Sequence, residues 1–180
     1  MTARKILVAV DLQNDFIDGA LGTKEAQAIV PFAARRIREM REAGAEVFAT
    51  LDTHEDDYMQ TQEGWKLPVP HCIRGTDGWQ LNTLIREALG DYIPVEKPSF
   101  GSTRLPELIR ERAGRGDNMT IELLGLCTDI CVVSNALLLK AFMPEVKITV
   151  DASCCAGVTP EKHLAALETM RSCQIHVIDR

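Results

Sequence analysis

Cys131 stands in the run Leu123-Leu124-Gly125-Leu126-Cys127-Thr128-Asp129-Ile130-Cys131-Val132-Val133, where a β-type stretch over residues 119–124 ends at Gly125 and a helix-like stretch begins near Thr128. That spacing predicts Cys131 in the first turn of a helix. Unpaired N–H groups and the positive end of the helix dipole favour an anion there, so the sulfur can be held as a nucleophilic thiolate. The plain alternative is a small buried apolar residue, which is what most free cysteines are.

Two other residues complete a coherent chemistry, Asp11 and Lys97, each at the end of an apolar run. A thiol near its free pKa of about 8.5 is little ionised at neutral pH. An ammonium nearby lowers that value, and a carboxylate can take the thiol proton and later return it to a leaving amine. Taken singly, Asp11 could cap a turn and Lys97 could be a solvated charge. A Cys-His arrangement would need His163 or His176 to fold back, and both are expected to be structural.

A second cluster is Asp52-Thr53-His54, with His71 in the loop that follows. Side chains two apart on an extended segment point the same way, so Asp52 and His54 can face one ion while His71 closes the site. One carboxylate and two imidazoles suit Zn²⁺, Mn²⁺ or Fe²⁺, with Glu63 a further, water-mediated ligand. Otherwise Asp52 starts a turn and the histidines are surface residues. Phe16 and Trp65 could stack on a flat substrate, or pack as ordinary apolar residues.

The elements that must position these groups read as alternating strands and helices. Strands are expected at residues 5–10, 46–51, 92–95, 119–124, 147–150 and 174–178. Helices are expected at 25–43, with Phe32 in its apolar stripe, at 80–89, 105–113 and 161–172, and from Thr128 onward. Gly114-Arg115-Gly116 should close the third of these, and Thr159-Pro160 should start the helix at 161–172. Residues 53–78, rich in Gly and Pro, are expected to form an ordered functional loop. This order implies an α/β fold in three layers, αβα, around a six-stranded parallel doubly wound sheet. In such sheets ligands bind beyond the carboxyl ends of the strands, where Asp11, Asp52, Lys97 and Cys131 all fall.

At 180 residues the chain fits one domain, residues 1–180. Its net charge of −6, with no run of basic residues, argues against nucleic acid. No apolar stretch is long enough for a membrane span, and the N-terminus beginning Met1-Thr2 carries no signal-peptide core, which points to the cytoplasm. Six cysteines are too few for a disulfide scaffold and are expected reduced.

The segments Val10-Asp11-Leu12-Gln13-Asn14-Asp15-Phe16, Val95-Glu96-Lys97-Pro98 and Gly125-Leu126-Cys127-Thr128-Asp129-Ile130-Cys131-Val132 resemble the signature segments of the isochorismatase-like cysteine hydrolases. The likeness continues in Asp151-Ala152-Ser153-Cys154-Cys155-Ala156 and Ala166-Leu167-Glu168-Thr169-Met170, so it covers essentially the whole chain. Within that superfamily, Asp52-Thr53-His54 and His71-Cys72-Ile73-Arg74-Gly75-Thr76-Asp77-Gly78 look like the metal segments of nicotinamidases. The resemblance implies conversion of nicotinamide to nicotinate and ammonia, in pyridine nucleotide salvage, with Asp11, Lys97 and Cys131 as triad. It implies a divalent metal, zinc first, on Asp52, His54 and His71, contacting the pyridine nitrogen. It also implies Phe16 and Trp65 around the ring, a cis peptide before Thr128, and oxyanion donors at Thr128 and Cys131. The expected partner is a small amide, with self-association into a homo-oligomer. The chain departs from the nicotinamidase pattern after Lys97, where no Tyr-Ser pair follows, and in the spacing of Trp65 from His71. A related cysteine amidohydrolase for another small amide or carbamoyl compound, and a non-catalytic binding protein of the same fold, are the alternatives.

Overall fold

The computed structural model describes residues 3–114 and 118–179. Met1 and Thr2, and the Arg115-Gly116 part of the expected turn, lie outside the described residues. Six parallel strands, β1 (Arg4–Val10), β2 (Glu46–Asp52), β3 (Ile93–Lys97), β4 (Met119–Leu126), β5 (Lys147–Ala156) and β6 (His176–Ile178), form one sheet in the order β3-β2-β1-β4-β5-β6. The order reverses between β1 and β4, so a crevice opens at their carboxyl ends. Ile6, Leu7, Val8 and Val10 of β1 are wholly buried, as a central strand covered on both faces requires.

Helices α1 (Asn14–Ile17), α2 (Lys24–Glu42), α3 (Gln62–Lys66), α4 (Thr83–Leu89), α5 (Arg104–Ala113), α6 (Val133–Phe142) and α7 (Pro160–Ser172) cover the sheet and its loops. On α2, Ala26, Ile29, Ala33, Ile37 and Met40 form the buried stripe. Phe32 does not belong to it: the ring is half exposed and lies under the guanidinium of Arg35. Thr159 caps α7 through its side chain with Pro160 at the first helical position, as its sequence signals.

Residues 53–78 are more structured than their lack of periodicity suggests. They hold a 3₁₀ turn at Tyr58–Gln60 and the five-residue α3, whose first turn is capped by the Thr61 hydroxyl accepting from Gly64 N–H at 3.1 Å. Elements this short make less than two turns and leave no periodic trace.

The largest departure is at β4. The strand runs through Gly125 to Leu126, and Thr128–Val132 forms a wide π-helical turn before α6 starts at Val133. Gly125 sits at φ +128°, where a Cβ would lie 2.1 Å from the Val10 carbonyl oxygen. Only glycine lets β1 and β4 approach this closely at the crevice.

Candidate active site

Asp11 leaves β1 with φ +47°, a left-handed conformation that a short polar side chain tolerates, and is wholly buried. Its Oδ1 accepts from the Thr50 hydroxyl at 2.7 Å, and its Oδ2 faces the Lys97 ammonium at 2.7 Å. Lys97 ends β3 with a fully buried ammonium, which also lies 3.2 Å from Asp52 Oδ1, 3.0 Å from the Ser99 carbonyl and 3.5 Å from Cys131 Sγ. Cys131 completes the set through the Lys97 ammonium, which its sulfur shares with Asp11. The structure therefore brings Asp11, Lys97 and Cys131 together from three strand ends.

The electrostatics correct one expectation. Burial pushes the Cys131 thiol well above its ordinary value, the Asp11 charge pushes the same way, and Lys97 only partly opposes them. These influences favour the protonated thiol over the thiolate expected from a helix N-terminus. Burial likewise raises Asp11 above the usual carboxylate range against the pull of Lys97. A base so raised is better matched to a thiol proton. Lys97 stays charged: its burial is outweighed by the carboxylates of Asp11 and Asp52.

The second cluster also assembles, and it includes Glu63. Asp52, His54, Glu63 and His71 each offer one atom, all within 4.8 Å of one another. His54 Nε2 is 3.2 Å from Asp52 Oδ2 and 3.8 Å from Glu63 Oε1; His71 Nε2 is 3.5 Å and 3.7 Å from the same two oxygens. Ligands about 2.0–2.1 Å from a tetrahedral ion stand roughly 3.3 Å apart, so the donors nearly span a cation without rearrangement. His71 Nδ1 lies 2.8 Å from the Val69 carbonyl, which can only accept, so Nδ1 carries the proton and Nε2 presents its lone pair to the cluster. A β-bridge between His54 and Ile73 brings the His71 segment alongside β2. Burial works against the Asp52 charge, yet the imidazoles of His54 and His71 beside it and the Lys97 charge hold its carboxyl well below the usual range.

Of the two expected stacking residues, Phe16 is buried and meets His71 edge-on, with ring centroids 5.6 Å apart. Trp65 is corrected: it is 73 % exposed on α3 and does not line the cavity over Cys131. One turn of helix turns its side chain outward, and the wall is instead made by Leu67, Phe100 and Ile130. Thr128 is buried with its hydroxyl 2.8 Å from His163 Nδ1, which gives His163 a structural contact away from the sulfur. The cis peptide joins Leu126 to Cys127, one bond before the expected place.

Residues without an expected role also shape the site. Gln13 holds the end of β2: its Nε2 donates to the carbonyls of Asp52 and Trp79, and its Oε1 accepts from Asp52 N–H. Tyr58 packs edge-on against both His54 and His71. Gln13 stood inside a quoted segment, but nothing in its neighbours said which backbone it would hold; Tyr58 carried no signal at all.

The Isochorismatase domain model matches residues 5–180. The nicotinamidase/pyrazinamidase of Mycobacterium tuberculosis is 29 % identical over 97 % of this chain and 98 % of its own length. The crystal structure of the pyrazinamidase of Pyrococcus horikoshii in complex with zinc superposes with a TM-score of 0.81 at 26 % identity, covering 98 % of this chain and 99 % of that one. N-carbamoylsarcosine amidase from Thermoplasma acidophilum superposes with a TM-score of 0.76 at 28 % identity, covering 98 % and 96 %.

Proposed function

Since the chain belongs to the isochorismatase family and is a hydrolase of it, we propose that it cleaves the carboxamide of nicotinamide, giving nicotinate and ammonia through a thioester on Cys131. The observation that carries this reading is the Lys97 ammonium. It contacts Asp11, Asp52 and Cys131 at once, so triad and metal cluster form one centre. A thiol, a base and a four-donor cation site within one buried crevice suit an amide attached to a ring bearing a heteroatom.

In the first half-reaction Asp11 takes the Cys131 proton and the sulfur attacks the amide carbon. Lys97 offsets the negative charge that passes between carboxylate and sulfur. Backbone N–H groups at Thr128 and Cys131 hold the oxyanion, a contribution typically worth about 3–4 kcal/mol. Asp11 then gives its proton to the nitrogen, the C–N bond breaks and ammonia leaves. Water, deprotonated by the same carboxylate, attacks the thioester carbonyl; nicotinate departs and the sulfur recovers its proton. Asp52, His54, Glu63 and His71 would hold the divalent cation, zinc first with manganese and iron also suited. When bound, that ion supplies a Lewis-acid contact for the pyridine nitrogen. Phe16 packs beside the ring.

The reading includes a cytoplasmic homo-oligomer, in keeping with six cysteines that are all free. Likeness to N-carbamoylsarcosine amidase favours a carbamoyl compound as second substrate class. Ammonia release from nicotinamide and from carbamoyl compounds, with Cys131→Ala beside His54→Ala, tests the scheme. Turnover of nicotinamide should fall at least a thousandfold in Cys131→Ala. Near-normal turnover in that variant, with chemistry lost and binding kept in His54→Ala, would replace the thioester by direct hydrolysis.

A further inference from the structure

The cavity immediately over Cys131 is small, about 50 Å³. It adjoins a larger chamber of about 290 Å³ on the side of β5 and α7, and the two share Phe16, Leu21, Leu67, Cys127 and Ile130 as common walls. Beyond that neck the chamber is bounded by Ala26, Leu126, Gly157 and Val158, with Thr23 and Lys162 the polar residues of a mainly apolar lining. A different cavity, about 430 Å³ and lined in part by His54, Glu63, Lys66 and Ser99, opens on the β3 side. The thiol thus lies between a wider approach, which carries charged and polar side chains among apolar ones, and a recess that is almost wholly apolar.

A recess of this size has room for much more than one water, yet its walls offer water few hydrogen-bond partners. Apolar surface moved into it from solvent is favoured in proportion to its area. Because its neck is formed by residues that also wall the thiol, whatever fills it is joined to, or lies against, the group being attacked.

We propose that this chamber is a specificity subsite that receives an apolar substituent of the substrate's acyl group, so that the preferred amide is larger than nicotinamide itself. The inference rests on the amide-hydrolase reading. Lys162, exposed at the rim, marks the end open to solvent. Three methylene groups withdrawn from water there favour the substituted amide by roughly tenfold or more in kcat/KM.

The test uses the zinc-loaded protein with nicotinamide and three nicotinamides carrying an n-propyl group at ring carbon 4, 5 or 6. At least one propyl isomer is expected to exceed the kcat/KM of nicotinamide by roughly tenfold or more. Val158→Trp should lower that isomer at least tenfold relative to nicotinamide, and Ala26→Leu, which fills the chamber from α2, should do the same if the first variant folds poorly. No isomer exceeding nicotinamide would overturn the subsite while leaving the amidase reading intact. An isomer whose advantage survives both variants would overturn it as well. No ammonia from any of the four amides, or from carbamoyl compounds, would remove the amidase reading and this inference with it.

Discussion

Replacing Lys97 by methionine keeps an unbranched side chain only one atom shorter and removes a charge that faces Asp11 at 2.7 Å and Asp52 at 3.2 Å, wholly out of water. At an effective dielectric constant of about 20 those separations correspond to roughly 6 and 5 kcal/mol of gross attraction. The net loss is smaller, because the folded variant can protonate Asp11 instead of leaving a bare charge. Protonating a carboxylate of ordinary pKa about 3.9 at pH 7 costs about 4 kcal/mol, which caps the destabilisation near the 3–5 kcal/mol typical of a broken buried pair. Asp52 keeps His54 and His71 as partners, so Asp11 is the group that responds. The pH dependence follows with a definite sign. In the parent, the raised Lys97 contributes stability that is complete below its unfolded value of about 10.4 and is therefore flat from pH 5 to 8. In the variant, Asp11 binds a proton folded but not unfolded, so stability falls by about 1.4 kcal/mol per unit rise in pH. The deficit should be at most about 4 kcal/mol at pH 7, a Tm lower by up to roughly 8–16 °C, and smaller at pH 5, where the already raised Asp11 of the parent also begins to bind its proton. Urea denaturation of both proteins from pH 5 to 8 measures it. A deficit that is equal at pH 5 and pH 7, or below about 1 kcal/mol at pH 7, would refute the view that this ammonium is what keeps Asp11 charged.

The acid limb of kcat/KM should lie above the usual carboxylate range, since burial raises Asp11 and the base is lost as pH falls through its value; Asp11→Asn should abolish that limb along with turnover. Glu63→Gln should weaken zinc binding by about 10-fold or more, read by competition with a chelator. In the parent, zinc affinity should fall as pH drops, because hydrogen bonding to Asp52 outweighs the burial of His71 and raises its pKa, so protons compete for Nε2 at higher pH. Trp65→Ala should change stability by less than about 0.5 kcal/mol and leave kcat/KM within about twofold, a result that a ring packed on the substrate would not give.

Much of this protein is legible along the chain because it depends on local rules. Runs such as Ile6-Leu7-Val8-Ala9-Val10 announce strands buried on both faces, and the polar residues that end them mark the rim where ligands bind. Asp52 and His54 could be paired on spacing alone, since alternate side chains of an extended segment share a face. Other features depend on what packs against what. Helix α3 is too short to show a period, so nothing in the sequence could say that Glu63 faces inward while Trp65, two residues on, faces water. The wide turn at Thr128–Val132 follows a β4 that pairs with β1 as far as Gly125 and with β5 at Leu126, contacts between residues far apart along the chain. The state of the sulfur is not legible along the chain for the same reason. Burial and the nearness of Asp11 set its proton affinity, and both are properties of the assembled crevice. The sequence by itself determined the kinds of groups available and their order on the sheet edge. The tertiary structure alone decided that one ammonium joins triad to metal cluster, and that an apolar recess opens behind the thiol, because distance and exclusion of water exist only once the strands are side by side.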